Sequence, residues 1–306
     1  MTTIPTEAEV RGYIDKLSNW GRWGPDDELG TLNLLTPEKT AKAATLVQQG
    51  RSITCARPLI AEPSVDMKIP FLHFMMGSGE DADHPGAGGS MDFFGVAYHG
   101  STVTHMDSIC HMFWDGKMYN GHPASLVTSR EGATAESIEL LHNGVVSRGV
   151  LLDIARLRGV DWMEPGEGVM PEDLDAAEKA AGLRVEEGDI LLIRTGNYKR
   201  RLTLGPTSDG SPGPQAALLP WLHERGVAVL GSDTPNDTFP SGYTDFRLPI
   251  HNIGIVAMGL WLLDNANLED LSQTCNELNR WEFLMTLSPL RIHNGTGSPV
   301  NPIAVF

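Results

Sequence analysis

The chain reads as an α/β domain with a mixed β-sheet and peripheral helices, on three observations. Val145–Ile154 and Asp189–Arg194 are aliphatic runs of strand length, the pattern of strands buried on both faces. Between them, Pro171–Ala181 carries Pro in its first turn, acids early, Lys179 late and Gly182 just beyond, the signals of a complete helix. Gln215–Arg225, then Gly226 and the run Val227–Leu230, repeat the helix-to-strand order.

The flanking elements follow the same logic. Thr6 and Glu9 form a capping-box pair that opens an amphipathic helix running to about Leu17. Thr36 caps a second helix that starts at Pro37 and stops near Gly50, so residues 1–50 form a helical arm on the outside of the domain. Residues 59–90 are rich in Gly, Pro, Asp and Glu and have no period. A loop this long is uncommon in a compact domain unless it is functional, which predicts a lid or a subunit-contact segment; a disordered surface insertion fits the composition equally well. Met91–His99 predicts a strand, Pro249 opens another helix, and residues 281–306 supply a final strand pair.

Composition limits the partners. Lys+Arg 23 against Asp+Glu 39 gives a net charge of −16, which argues against nucleic acid or an anionic membrane and leaves a small-molecule substrate. Cys55, Cys110 and Cys275 form no C-x-x-C pair, as expected in a reducing compartment. The N-terminal segment has no basic-flanked apolar core, and the apolar run Ile253–Leu263 is broken by Gly254 and Gly259 and too short for a bilayer. The expected location is the cytoplasm.

The densest chemistry lies in His99-Gly-Ser-Thr-Val-Thr-His105-Met-Asp107-Ser-Ile-Cys-His111. Imidazole nitrogen mixed with carboxylate oxygen suits a borderline divalent cation such as zinc or manganese. In extended chain, His105 and Asp107 point to one face with backbones roughly 7 Å apart, close enough to converge on one ion. His99 and His111 share that parity, but each lies six residues from His105, on the order of 20 Å along a straight strand, so the chain must bend for either to join. A lone histidine would more often be a partnered structural residue; four potential ligands on one parity shift the balance to a metal site.

This segment resembles the H-x-G-T-H-x-D-x-P-x-H signature of the cyclase-family metal-dependent hydrolases, which include bacterial kynurenine formamidases and isatin hydrolases. Thr104, His105, Asp107 and His111 match its Thr, second His, Asp and final His. The resemblance continues through Gly188–Gly196, Gly231–Pro235, His251 in Leu-Pro-Ile-His, and Gly297–Pro302, covering most of the chain from about residue 50. It implies a single swivelling β/β/α-type domain over 1–306, assembled as a homodimer or homotetramer, that uses metal-activated water to cleave a small amide, lactam, lactone or N-formyl bond. His105, Asp107 and His251 resemble metal ligands, and His111 resembles the general acid/base. The chain departs from the signature at Ser101, where its first His would stand, at Val103 in place of Gly, and at Ile109 in place of Pro. His99 supplies the missing ligand, or Ser101 and water fill the position. The family's later glutamate has no counterpart in Ala257–Leu263, before Asp264, which favours one metal over two. A metal-dependent lyase or cyclase, or an inactive binding protein of the same fold, are the alternatives.

The remaining candidates carry weaker signals. Trp20 and Trp23 suit either an aromatic pocket wall, with Trp23 against the substrate, or packing of the arm. His73 and His84 are expected to be solvated or lid residues, and His142 and His223 to sit at helix C-termini. His293 belongs to a glycine-rich loop that could close over the site. Asp233 ends a buried strand, where functional groups collect, although Ser-Asp-Thr-Pro is also ordinary turn chemistry. Cys110 points away from the His111 face and is expected to be a small buried hydrophobe.

Overall fold

The computed structural model describes residues 3–80 and 86–306. Eleven strands carry the architecture: β1 Ser52–Thr54, β2 Leu72–Gly77, β3 Met91–Gly95, β4 His105–Asp107, β5 Val145–Asp153, β6 Ile190–Arg194, β7 Val229–Ser232, β8 Trp261–Asp264, β9 Glu282–Leu287, β10 Gly297–Pro299 and β11 Ile303–Val305. All but β2 and β3 join one nine-stranded sheet in the order β1-β11-β9-β5-β6-β7-β8-β4-β10. Its centre, β5 to β8, is parallel, and the flanks are antiparallel. This is the mixed α/β single domain that the alternating sequence pattern predicts.

The parallel strands are the core. Val150–Leu152, Ile190–Ile193, Val229–Leu230 and Trp261–Leu263 are all buried, as strands covered by helices on both faces must be. The helices are α1 Glu7–Lys16, α2 Pro37–Ala44, the single turn α3 Ile154–Leu157, α4 Pro171–Ala181, α5 Asn197–Leu204, α6 Leu218–Arg225 and α7 Glu269–Leu278. Thr6 and Glu9 close the capping box on α1, and Gly182 terminates α4 in the left-handed region at φ 67°. Two short motifs act as pins for the sheet. Asp189 accepts from Arg148 and pairs with Lys39 at 2.6 Å, while Arg194 joins Asp153 and Glu269.

Several boundaries differ from expectation. The helix that begins at Pro37 ends at Ala44 rather than near Gly50, and the Gln215 helix begins only at Leu218. The strand after it is shifted two residues, to Val229–Ser232, because Gly226 closes the helix and Ala228 still bonds to Asp189. The Pro249 helix is a short π-helical segment, Ile250–Ile255. Residues 281–306 hold three strands instead of two: β9 pairs with β5 and β11, whereas β10 crosses to β4.

The largest difference concerns residues 59–90. Leu72–Gly77 is a strand, and it pairs antiparallel with Met91–Gly95 in a separate two-stranded ribbon. The run expected as one strand to His99 therefore ends at Gly95. Phe74 stands opposite Phe93, with ring centroids 6.1 Å apart across the ribbon. His73 bonds Asp92 on the same ribbon at 2.7 Å. His84 lies outside the described residues.

The arm docks through a close backbone crossing. Gly30 and Gly259 both have positive φ, 55° and 65°, and Thr31 N donates to Gly259 O at 2.9 Å. A Cβ at Gly30 would stand 2.3 Å from Gly259 O. The expected effect of Gly30→Ala is a loss of roughly 1–3 kcal/mol of unfolding free energy, from left-handed strain plus overpacking. A urea midpoint unchanged from the parent would contradict this.

Candidate functional site

The site lies at the carboxyl ends of the parallel strands, where β8 meets the antiparallel β4. The register sets Asp264 opposite His105 and Leu262 opposite Asp107. His105 and Asp107 share a face, and both are buried, while Met106 points into the core on the other side. His251, from the segment 250–255, completes the inner group.

The distances describe one cluster. His105 Nε2 is 3.3 Å from Asp107 Oδ1 and 3.9 Å from Asp264 Oδ2. His251 Nε2 is 3.3 Å from Asp107 Oδ2 and 3.5 Å from Asp264 Oδ2. The opposite ring nitrogens are fixed from behind: His105 Nδ1 donates to the Val103 carbonyl at 2.8 Å, and His251 Nδ1 to Asp237 Oδ2 at 2.7 Å. Each ring is thereby turned so that Nε2 faces the centre, the arrangement by which outer partners orient metal-binding histidines.

Two turns bring in the residues that a straight strand would keep away. His99 Nδ1 stands 2.8 Å from Asp107 Oδ1, and His99 Nε2 meets Thr296 Oγ1 at 3.0 Å. On the other side, His111 N bonds Ser108 O, and this turn returns the His111 ring to stack on His99 at 3.9 Å and 6°. The loop between is clamped by residues the sequence reading did not single out. Arg57 Nη1 donates to Ser101 O and its Nη2 to Asp233 O, and Asn265 Nδ2 donates to Gly100 O.

Asp107 is the decisive group. Both of its carboxylate oxygens are buried and neither accepts a hydrogen bond, despite imidazole nitrogens at 2.8–3.3 Å. His99 Nδ1 is likewise buried without a hydrogen-bond partner. Donors and acceptors that approach closely but aim past one another suit a cation among them. His105, Asp107 and Asp264 form one set of ligand atoms within 4.8 Å of one another, and His99, Asp107 and His111 form a second.

The electrostatics are those of a compact charge cluster. Burial pushes the Asp107 carboxyl up, but the neighbouring His111 and His105 outweigh it and hold it well below the usual carboxylate range. Burial pulls His251 down, yet Asp264 and the other carboxylates raise it well above an ordinary imidazole; Asp107 raises His105 in the same way. His111 goes the other way. Burial takes it down to about 4, with Asp107 opposing and His99 reinforcing the shift, so it is neutral near pH 7. Burial also lifts Asp237 to about 6, against its contact with His251.

Of the residues picked from sequence, His99, Ser101, His105, Asp107, His111 and His251 all line one cleft of about 530 Å³. Trp23 does not line it; the Arg22 guanidinium lies 4.6 Å over its ring, and Trp20 Nε1 donates to Val256 O. Ser101 contributes its carbonyl to Arg57. Asp233 is buried and accepts from Thr195 N and Oγ1, a turn role. Cys110 is buried among Met118, Ala133 and Ala135, and burial pushes its thiol up to about 12. His293 pairs with Glu139, and His142 bonds its own turn at Glu139 O.

Asp264 corrects the sequence reading, which discounted a carboxylate in this region. Antiparallel pairing of β8 with β4 delivers it to His105, a long-range register that the local pattern does not contain. Asp237 was missed for the same kind of reason: its role depends on contact with His251, fourteen residues away.

Fold and site together define a mixed α/β domain with a buried carboxylate–imidazole centre beyond its parallel strands. The chain belongs to the Cyclase family, described as "Putative cyclase", whose model matches residues 50–237. It is similar to a crystal structure described as a novel cyclase, with 32% identity over 94% of this chain and 99% of that one and a TM-score of 0.87. Isatin hydrolase A from Labrenzia aggregata shares the fold at 21% identity, covering 86% of this chain and 94% of that one, TM-score 0.61. A predicted metal-dependent hydrolase from Bacillus stearothermophilus shares it at 16% identity, 84% and 98% coverage, TM-score 0.52. No curated protein sequence matches the chain.

A cation here must displace protons from His251 and His105, whose pKa values are raised, so zinc affinity is expected to fall as pH is lowered from 8 to 6. Asp237→Asn, which weakens the support behind His251, is expected to cost about 10–100-fold in zinc affinity. Competition titration with a chromophoric chelator measures both; equal affinity in parent and variant would remove Asp237 from the centre.

Proposed function

We propose that this chain is a metal-dependent hydrolase that cleaves a small amide, lactam, lactone or N-formyl bond. The observation that carries the reading is Asp107, a buried carboxylate with both oxygens lacking hydrogen bonds and three imidazoles around it. His105, Asp107, His251 and Asp264 would hold one divalent ion, zinc or manganese, and His99, whose Nδ1 has no hydrogen-bond partner, would complete the set. Such an ion supplies Lewis-acid polarisation of a carbonyl and acidifies water. The residues of the chain supply the rest. Asp237 and the Val103 carbonyl keep the two inner rings aimed, and Ser101 borders the cleft where the substrate enters. The His111 ring lines the cleft, has no hydrogen-bond partner among the described residues, and is neutral near pH 7. In that form it can take the proton of the attacking water and deliver it to the departing nitrogen or oxygen.

His111→Ala is expected to lower kcat by about 10²–10⁴-fold on a panel of formamides, lactams and lactones while zinc is retained. Asp107→Ala is expected to lose the zinc itself. Full activity in both variants would end this mechanism. In ¹⁸O water, a hydrolase places solvent oxygen in the acid product; a lyase or cyclase using the same cluster would not.

We further propose that the protein is a homo-oligomer assembled through the β2–β3 ribbon, acting on a small molecule in the cytoplasm. Leu72, Phe74, Met75, Met76, Met91, Phe93 and Phe94 are each 44–62% exposed, on both faces of the ribbon. A two-stranded ribbon is marginal alone, and an apolar surface of this kind suits burial against a second copy. Phe74→Asp with Phe93→Asp should give a folded monomer by light scattering after gel filtration; a monomeric parent protein would refute the assembly.

A further inference from the structure

The cleft mouth carries charge that the proposed reaction does not use. In a chain of net charge −16, its wall gathers Lys68, Arg200, Arg201 and Arg247. Arg201 is consumed by Asp66 at 2.6 Å, and Arg200 by Glu164 at 2.8 Å. Arg247 and Lys68 have no carboxylate partner among the described residues. The Arg247 guanidinium lies 5.6 Å over the Phe239 ring, which also lines the cleft, so the aromatic face supports its flat side. Three residues lie between Arg247 and His251, and the π-helical segment begins at the last of them. This cation is therefore tied to the same backbone as the inner cluster.

We infer that Arg247, assisted by Lys68, recognises a carboxylate on the substrate, so that the cleft takes compact anionic carbonyl compounds in preference to neutral ones. This rests on the hydrolase reading for the reacting bond, but the recognition itself is a binding property. A guanidinium offers a planar fork of donors that matches the two oxygens of a carboxylate, and a partnerless fork at a cleft mouth is free to use it. Two cations without carboxylate partners among the described residues would hold the anionic end of a ligand at the rim of the cleft. Phe239, Pro235 and Leu248 line the same cleft and give the apolar body of the ligand a surface.

Isothermal titration of the zinc-loaded protein with benzoate and with its neutral isostere benzamide tests the inference. Benzoate is expected to bind more tightly, and Arg247→Met is expected to weaken benzoate by about tenfold or more while leaving benzamide unchanged, as for loss of a charge-assisted pair. Arg247→Lys should recover part of the difference, and unchanged melting temperatures would show that both variants fold. Equal binding of the two probes, no binding of either, or a benzoate affinity unaffected in Arg247→Met would overturn it; the last result would mean that the carboxylate is held elsewhere. Zinc stoichiometry and turnover on the formamide panel are read separately, so a failure of the hydrolase reading leaves this result distinguishable.

Discussion

A carboxylate that cannot satisfy itself within the protein organises this structure. Asp107 sits in the interior with imidazoles near both oxygens, yet none is aligned to donate to it. Burying an ionised carboxylate is expensive unless charge of the opposite sign compensates it. The protein answers by converging groups from distant segments: His99 from the strap after the ribbon, His111 from the turn after β4, and His251 from a segment more than a hundred residues later. Each arrives on a different backbone element, so the centre and the sheet that carries it are one construction.

The supporting contacts repeat this logic at the next distance out. Asp237 restrains His251, the Val103 carbonyl restrains His105, and Thr296 meets His99. Arg57 spans the strap at Ser101 and the turn at Asp233, and burial brings its guanidinium down to about 10 despite Asp233 nearby. Their effect is to remove rotamer freedom from the residues of the centre.

Much of the fold was legible in the sequence because its signals are local. Thr6 with Glu9, and Pro171 with Gly182, mark helix ends by chemistry confined to a few residues, and the aliphatic runs at 145–153 and 190–194 announce buried strands. The His105–Asp107 pair was legible for the same reason, since parity along a strand is a local property. The ribbon was not. Gly and Pro in 59–90 mask the strand Leu72–Gly77, whose partner lies beyond them, and its apolar side chains are exposed instead of set against the core. Asp264 and Asp237 were lost differently: their meaning comes from register and from a contact across elements, neither of which short windows of sequence hold. Trp23 suited either a pocket wall or packing of the arm, and sequence alone could not choose; in the structure it stacks with its neighbour Arg22.

The pairing of β4 with β8 and β10 has a consequence for how reliably the chain reaches this state. Met106 fills the core on one side of a three-residue strand, while His105 and Asp107 occupy the other. A slip of a single residue would exchange the faces, driving an ionised carboxylate and an imidazole into the hydrocarbon layer and lifting Met106 into the polar cluster. The penalty for that slip falls on packing and on charge at once. The chemistry thus serves as a parity check on folding: the residues that make the centre reactive also mark the correct frame of the strand that bears them.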